Sequence, residues 1–315
     1  MKNYTKCLFL FVTIILTKAE LLSSQNLECN CKKITIEDLT SNQITIDNIL
    51  KRCNSDTIEL IKCIKEYSGD TLKYEKALQL SNIVKELTQK TNNIKIKQEA
   101  IHYFLMNLSN ANPGVASNSI NVLKKFPKTY YDSSAITLIN LCIIKNASSY
   151  KNIVLLAGYI GDSTTLKQIN SVFPNSRNYN KTEKWATYLA LARLGDNASL
   201  NYCISKINSL PLNDEVIDIL YPDLIYTHRK EAYDVLVKSI FSDEKLCSST
   251  NPNSDSKIIC GYRVIELLSP QIEGFPIEVL PSGDLNIDNY PKALEITRNW
   301  FNNNKKEYVI LQEKY

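Results

Sequence analysis

The chain has 315 residues, a formal net charge of +4, nine cysteines and only eight glycines. Its charges of both signs are spread along the sequence, so it lacks the continuous basic stripe with which proteins follow nucleic-acid phosphates. Its length allows one or two domains with a sizeable core. We therefore expect a folded protein that does not bind nucleic acid.

Residues 1–19 have the order of a secretory signal peptide. A basic head with Lys2 and Lys6 precedes the apolar run 7–16, and the segment ends in the small residue Ala19. Ten apolar residues are too few for a permanent membrane anchor. We expect an exported protein, periplasmic or extracellular, whose net charge falls from +4 to +1 when the three lysines of this segment are removed.

Cysteines indicate a disulfide-bonded protein, because removal of Cys7 leaves an even number in an oxidising compartment. Cys247 and Cys260 flank the polar stretch SSTNPNSDSKII. A bridge that closes a loop of this size removes roughly 3 kcal/mol of chain entropy from the unfolded state. We predict that these two cysteines form a disulfide.

Four further cysteines lie near the expected mature N-terminus: Cys29, Cys31, Cys53 and Cys63. Disulfides and a four-thiolate zinc site are the two hypotheses for them. The spacing favours disulfides. A typical zinc site has two pairs of closely spaced cysteines, whereas here a C-x-C pair is followed by 21 intervening residues and then by C-x9-C. Cys142 and Cys203 lie in apolar helical stretches, where a thiol serves as a small core side chain.

Most of the chain after residue 56 has the periodicity of amphipathic helices. In TLKYEKALQLSNIVKELTQK, apolar side chains recur mainly along one side, with Lys and Glu on the other. Turn-forming residues separate the segments, and only KKITIEDL and NQITIDNI alternate as strands do. The predicted helices are 57–67, 71–90, 94–109, 113–126, 132–145, 149–160, 163–173, 182–194, 198–208, 213–227, 229–241, 258–269 and 290–303.

An internal repeat lies in the middle of the chain. LLAGYIGDSTTLKQINSV aligns with LALARLGDNASLNYCISK at a shift of 34 residues, which is within the range of helical repeats. With WATYLALARLGDNASL, the chain resembles the HEAT-like repeat family of the phycobilin-lyase type, in which a small-residue-rich helix ends in a Leu-Gly-Asp turn. NPGVASNSINVLKKF resembles that family's Asp-Pro-x-Val helix start, with Asn112 in place of Asp and without the usual arginine after Val115. The resemblance covers residues 95–245.

The resemblance implies an all-α fold, namely an irregular right-handed α-solenoid of antiparallel helix pairs. We predict four regions in chain order. They are the signal peptide at 1–19, a cysteine-rich cap at 20–70, the HEAT-like α-solenoid at 71–245, and a C-terminal extension at 246–315 with the polar cysteine loop and a terminal helix.

The Gly-Asp turns raise the question of a phosphate-binding loop. Such a loop needs a preceding strand and further glycines or a Lys-Ser/Thr pair at fixed spacing, and the sequence has neither. We interpret Gly195 as a helix stop, because glycine adopts the left-handed conformation without a steric penalty. Asp196 or Asn197 is then the start signal of the next helix.

Candidate catalytic and metal residues are few. Glu99-x-x-His102 is half of a di-metal motif that needs a second copy, and His228 lacks such a context, so we predict structural roles for both histidines. The acidic pairs Asp214-Glu215 and Asp243-Glu244 fall near helix ends, where acids cap or are solvated. Neither a Gly-x-Ser-x-Gly nor a His-Glu-x-x-His motif occurs. We predict no catalytic residue, no cofactor and no metal site.

Tyrosine is enriched, with 18 tyrosines against eight phenylalanines. For Tyr103, Tyr159, Tyr188 and Tyr202 we favour helix packing, with the hydroxyl at the edge of the core, over an exposed binding role. The expected function is that of an exported, non-catalytic scaffold that binds another protein on its concave face. The alternative is an exported enzyme or glycan-binding protein with a cleft of acidic and tyrosine residues.

Overall fold

The computed structural model describes residues 31, 34–40, 45–53, 55–68, 72–110, 112–144, 149–175, 178–249, 256–282, 284–287, 289–304, 307–311 and 315. Over these residues the protein is mostly helical, with 15 α-helices and one short two-stranded sheet. None of the helices in this part of the chain combines the length and the apolar character needed to cross a membrane. The predicted signal peptide lies outside the described residues.

The chain divides into two compact units, and the first ends at Ser68. Its helices are α1 (Ile36–Thr40), α2 (Ile46–Arg52) and α3 (Thr57–Tyr67). The strands expected in KKITIEDL and NQITIDNI are therefore wrong. Capping explains the difference: Thr35 pairs with the Asp38 carboxylate across the first turn of α1, and the Thr45 hydroxyl accepts a hydrogen bond from the Asn48 N–H in α2.

Cysteine pairing in the first unit follows the disulfide hypothesis. Cys31 and Cys53 are joined by a disulfide, and the buried Cys63 is also disulfide-bonded. Sulfurs that are bonded to each other cannot act as the thiolate ligands that a zinc site requires. Cys29 lies outside the described residues.

The second unit, Gly69–Tyr315, contains the remaining helices. Ten of them precede the sheet: α4 (Tyr74–Gln89), α5 (Ile94–Met106), α6 (Pro113–Leu123), α7 (Ser133–Ile144), α8 (Tyr150–Ile160), α9 (Ser163–Val172), α10 (Lys181–Arg193), α11 (Asn197–Asn208), α12 (Tyr221–Tyr226) and α13 (Lys230–Ile240). A π-helical turn, Val216–Leu220, leads into α12. Each predicted helix of this region is present, although 94–109 ends in the 3₁₀ turn Asn107–Ser109 and 213–227 includes the π turn.

Helices that are two apart in the sequence pack against each other. The contacts run from α4 to α6, α8, α10 and α12 in turn, and a second series joins α5 to α7 and α9 and, further along, α11 to α13. Sequential helices also contact each other, as α7 with α8 and α10 with α11. Side chains from distant parts of the sequence therefore meet on the helices α6, α8, α10 and α12.

The repeated Gly-Asp motif forms a turn between two helices, as predicted. Gly195 follows α10 with a φ of +102°, a backbone conformation that side chains rarely allow, and the Asp196 carboxylate caps α11 by accepting from the Ser199 N–H at 2.8 Å. At the equivalent turn 34 residues earlier, Asp162 caps α9 in the same way, while Gly161 is extended.

The C-terminal part of the second unit begins with strands β1 (Lys245–Ser248) and β2 (Lys257–Ile259), which pair antiparallel. Cys247 and Cys260 are joined by a disulfide, the pairing that we expected. The predicted helix 258–269 is wrong at its start, because β2 precedes α14 (Gly261–Leu268). The last helix is α15 (Tyr290–Asn303), and one buried apolar cluster includes residues from both sides of position 245.

The tightest helix crossing gives a test of the packing. A Cβ atom added at Gly158 in α8 would lie 2.8 Å from the Ala190 Cα in α10 and nearer still to the Tyr226 hydroxyl. We expect Gly158→Ala to lower the free energy of unfolding by about 1–3 kcal/mol, because backbone must move to relieve the contact. An exposed control, Lys167→Ala in α9, should change it by less than about 0.5 kcal/mol. Urea unfolding measures both, and equal effects would contradict the close crossing.

The hairpin disulfide gives a second test. We expect replacement of both Cys247 and Cys260 by alanine to lower the free energy of unfolding by roughly 3 kcal/mol, because the unfolded chain regains its entropy. Trp185 and Trp300 are the two tryptophans of the chain and both belong to the second unit, so their fluorescence reports on that unit. Reductant should destabilise the wild type more than the variant, and equal sensitivity would count against this stabilising role.

Candidate functional site

Two adjoining cavities lie among the helices α8, α10, α11 and α12, with further lining from Lys124, the π-helical turn, α14 and the residues after α14. The first, the Trp185 groove, has a volume of about 500 Å³ and the second, the Tyr315 cavity, about 510 Å³. Lys151 and Asp223 line both, so the cavities meet at these two side chains. Together they form the largest concave feature that we describe, and we take them as the candidate functional site.

The Trp185 groove has an apolar floor and a basic rim. The floor is made by Trp185, Ile207, Leu210, Ile219 and Leu220, with Tyr202 beside them. Several of these side chains are open to solvent, since Ile219 is 57% exposed and Leu210 47%. The rim carries the exposed Lys151, Lys181 and Lys206. A groove of this kind offers apolar contact in its centre and attraction to negative charge around it.

Among the residues that the structure describes, Asp223 is the one acidic residue that lines the groove. The Trp185 indole Nε1–H donates to its Oδ2 at 2.6 Å. Burial raises the pKa of the Asp223 carboxyl, while the bond from Trp185 and the charge of Lys151 act in the opposite direction. The carboxylate therefore holds the indole in place at the boundary between the two cavities.

Arg193, at the end of α10, lies between Tyr159 and Tyr226, and Tyr226 in turn lines the Tyr315 cavity. Its guanidinium lies 5.0 Å from the ring centroid of Tyr159 in α8 and 4.8 Å from that of Tyr226 in α12. Its Nη1–H donates to the Tyr226 carbonyl oxygen. Burial lowers the pKa of Arg193, but a guanidinium remains charged in proteins. The two rings and the carbonyl oxygen thus stabilise a largely buried cation.

Tyr315 lines this cavity, and its ring packs against Tyr159 and Tyr226 in a position that we call the aromatic seat. Its ring meets Tyr159 at a centroid distance of 5.4 Å and Tyr226 at 5.9 Å, both in edge-to-face geometry. The Lys124 Nζ lies 4.4 Å from the Tyr315 centroid on the other side. Burial lowers the pKa of Lys124, and the nearby charge of Lys151 lowers it further. Burial also raises the pKa of the Tyr315 hydroxyl.

A third cavity, of about 420 Å³, lies at the Gly161-Asp162 turn and is lined by Lys128, Ser163, Arg193 and His228 among others. It bears on the phosphate-loop question. The Asp162 carboxylate accepts the backbone N–H groups of Thr164 and Thr165, so the helix start is already occupied by an anion of the chain itself. The turn therefore works as a cap.

The other sequence candidates have structural partners. His102 Nε2 lies 3.0 Å from Asp132 Oδ1 and 2.9 Å from Ser134 Oγ. Although burial opposes it, the Ala135 N–H and His102 lower the pKa of Asp132 to about 2. Over the described residues, no group of three or more His, Cys, Asp or Glu side chains is arranged to hold a metal ion.

The aspartate of each acidic pair forms an ion pair with an arginine. Asp214 accepts from Arg263 Nη1 at 2.7 Å and from the Ser248 hydroxyl at 2.8 Å, which ties the start of the helical segment before α12 to β1 and α14. Asp243 pairs with Arg298 at 2.8 Å. Neither pair lines the Trp185 groove or the Tyr315 cavity.

The four tyrosines named from the sequence differ in placement. Tyr103 and Tyr159 are buried, with hydroxyls that meet Ser81 Oγ and the Phe126 carbonyl, as the packing hypothesis predicts. Tyr202 is 40% exposed and stacks on Tyr188 at 4.2 Å, so for Tyr202 the packing hypothesis is wrong. Its ring lies on the surface of α11 beside the groove.

Sequence reasoning missed the main residues of the site: Lys151, Trp185, Arg193, Asp223, Tyr226 and Tyr315. Trp185 and Arg193 lie on α10, within WATYLALARLGDNASL, whereas Lys151 lies on α8, Asp223 and Tyr226 lie on α12, and Tyr315 lies outside the helices. The surplus of tyrosine was the one signal that pointed toward them.

No protein-family model, curated protein or solved structure matches the chain. The functional conclusion therefore rests on the geometry of the site.

The pKa of Asp223 gives a test of the site. Burial raises this pKa above the ordinary value of 3.8. At a pH between the pKa of the unfolded chain and the higher pKa of the folded protein, the folded protein holds a proton that the unfolded chain has lost. The free energy of unfolding then falls as pH rises through this window. Asp223→Asn removes this fall and keeps an oxygen acceptor for Trp185.

We expect the variant to gain stability relative to the wild type between about pH 4 and about pH 7, as measured by urea unfolding at both pH values. The exposed control Glu244→Gln should show no such change. A difference from wild type that is the same at both pH values would contradict the burial of a charged Asp223.

Proposed function

We propose that this protein is an exported, non-catalytic helical-repeat scaffold that binds an acidic segment of another protein in the Trp185 groove. The observation that carries this proposal is the combination of a solvent-open apolar floor with three exposed lysines at the rim. The carboxylate of Asp223, which lines the same groove, is engaged by Trp185. Apolar anchoring in the centre with complementary charge around it is the usual arrangement of a protein-binding surface.

The repeat architecture supports the proposal. Three observations are consistent with a right-handed, HEAT-like α-solenoid. They are the contacts between helices that are two apart, the sequence repeat at a shift of 34 residues, and the resemblance over residues 95–245. In such a solenoid one series of helices lines the concave face. We assign this face to the series α8, α10 and α12, which lines the two cavities together with side chains of α11 and α14.

Export is supported by cysteine chemistry. The Cys31–Cys53 and Cys247–Cys260 disulfides, together with the disulfide-bonded Cys63, are typical of proteins in oxidising compartments. The segment 1–19 supplies the leader in this proposal, and the mature protein acts in the periplasm or outside the cell.

The alternative, an enzyme or glycan-binding protein, has weaker support. Glycoside hydrolysis uses two carboxyl groups that flank the scissile bond. Among the described residues the Trp185 groove is lined by one carboxyl, that of Asp223. Asp223 and Glu266 both line the Tyr315 cavity, but Asp223 accepts from the Trp185 indole and Glu266 accepts from the Tyr290 hydroxyl at 2.8 Å, so both carboxyl groups are engaged by the chain itself. The geometry thus favours binding over hydrolysis.

Charge reversal at the rim tests the proposal. The immobilised full-length protein should retain a specific protein from an extract of the exporting cell's envelope. We expect the double variant Lys181→Glu and Lys206→Glu to weaken this binding by about tenfold or more, because it repels an acidic partner. Ile219→Ser, which removes exposed apolar area from the floor, should weaken binding without changing charge.

A matched control is the double variant Lys167→Glu and Lys238→Glu. It changes the net charge equally, at exposed positions of α9 and α13 that line neither cavity. Mass spectrometry should show partners that wild type and control retain and the rim variant loses. Identical sets for rim variant and control, or no protein retained above background, would overturn the proposal.

A further inference from the structure

The aromatic seat is filled by a side chain of the chain itself. The ring of Tyr315 packs edge-to-face with Tyr159 and Tyr226 and lies under the Lys124 ammonium group. Edge-to-face ring pairs and a cation over the ring face are both favourable for an aromatic side chain. The seat therefore has the chemistry of an aromatic-binding site, and the Tyr315 cavity is the open space beside it.

The groups around the seat are held by contacts that do not involve Tyr315. The Tyr159 hydroxyl donates to the Phe126 carbonyl at 3.2 Å, and the Tyr226 hydroxyl donates to the Leu155 carbonyl. Arg193 lies between these two rings. If Tyr315 leaves, both rings keep these partners, so the seat is formed in advance of any ligand.

The fit of Tyr315 is incomplete at its hydroxyl group. This oxygen is buried and has no hydrogen-bond partner among the residues that the structure describes. A buried hydroxyl without a partner loses its hydrogen bonds to water and gains nothing in return. A phenylalanine ring makes the same ring contacts without this loss, so the seat suits phenylalanine better than tyrosine.

We propose that the aromatic seat beside the Tyr315 cavity binds a phenylalanine side chain of the acidic partner segment, and that Tyr315 occupies the seat until the partner displaces it. This inference rests on the proposed function. The shared lining by Lys151 and Asp223 joins the cavity to the Trp185 groove, so one bound segment reaches both. Tyr315 then acts as a competitor that weakens binding of segments without an aromatic anchor.

Binding of small probes to the full-length protein tests the inference. The probes are N-acetyl-phenylalaninamide, N-acetyl-tyrosinamide and N-acetyl-leucinamide, with affinities on the order of millimolar that ligand-observed NMR can rank. We expect Tyr315→Ala to bind the phenylalanine probe at least about threefold more tightly than the other two. Wild type should bind it several-fold more weakly than this variant, because its own tyrosine competes.

Two further variants sharpen the comparison. Tyr315→Phe keeps the ring and removes the unpartnered hydroxyl, so it should bind the phenylalanine probe more weakly than wild type. Lys124→Met in the Tyr315→Ala background removes the cation above the ring and should weaken binding by about threefold. Thermal unfolding of each variant checks that the fold is retained, and the wild-type and Tyr315→Phe comparison stands even if Tyr315→Ala unfolds.

The outcomes separate this inference from the proposed function. Equal binding of the three probes by Tyr315→Ala, no binding of any probe, or stronger binding by Tyr315→Phe than by wild type would overturn the inference. Envelope capture that still depends on Lys181 and Lys206 would leave the proposed function standing in that case. Conversely, phenylalanine binding without any captured protein would support the cavity and count against the scaffold.

Discussion

A single guanidinium connects three helices of the second unit. Arg193 at the end of α10 lies between Tyr159 of α8 and Tyr226 of α12. A buried cation raises the free energy of the folded state unless its surroundings compensate it. Here the two ring faces and the Tyr226 carbonyl oxygen do so. Because all of these groups must stay within reach of one side chain, the spacing of α8, α10 and α12 is constrained, and the walls of the Tyr315 cavity follow from the same constraint.

The close crossing of α8 and α10 makes that arrangement possible. The Tyr226 hydroxyl donates to the Leu155 carbonyl, a contact between residues 71 apart in the sequence. The hydroxyl passes over Gly158, where any side chain would collide with it and with Ala190. Glycine has a low helix propensity, so its presence inside α8 is unfavourable locally. Tertiary packing outweighs this low helix propensity, because the hydrogen bond of Tyr226 and the contact with Ala190 both require that position 158 has no side chain.

Local signals explain which parts of the fold the sequence predicts. The helix 57–67 matches α3 at both ends, and the Gly195-Asp196 turn works as its residue types indicate, because caps and periodicity act over a few residues. The N-terminal strands failed for a related reason, since five to seven residues of alternation are also compatible with one or two capped helical turns. The site was not predictable in this way. Tyr226 and Trp185 are unremarkable in sequence, and their roles arise only when helices two apart come together.

Charge distribution, more than net charge, gives the candidate face its character. The chain carries a formal charge of only +4, so composition by itself does not indicate a basic surface. Four lysines nevertheless border the two cavities: Lys124, Lys151, Lys181 and Lys206. They interact, since the charge of Lys151 adds to burial in lowering the pKa of Lys124. Repulsion among like charges raises the free energy of the unbound protein, and an acidic segment bound there relieves it. The clustering of lysines therefore lowers the stability of the unbound protein and strengthens the binding of an acidic segment, which is the function that we propose.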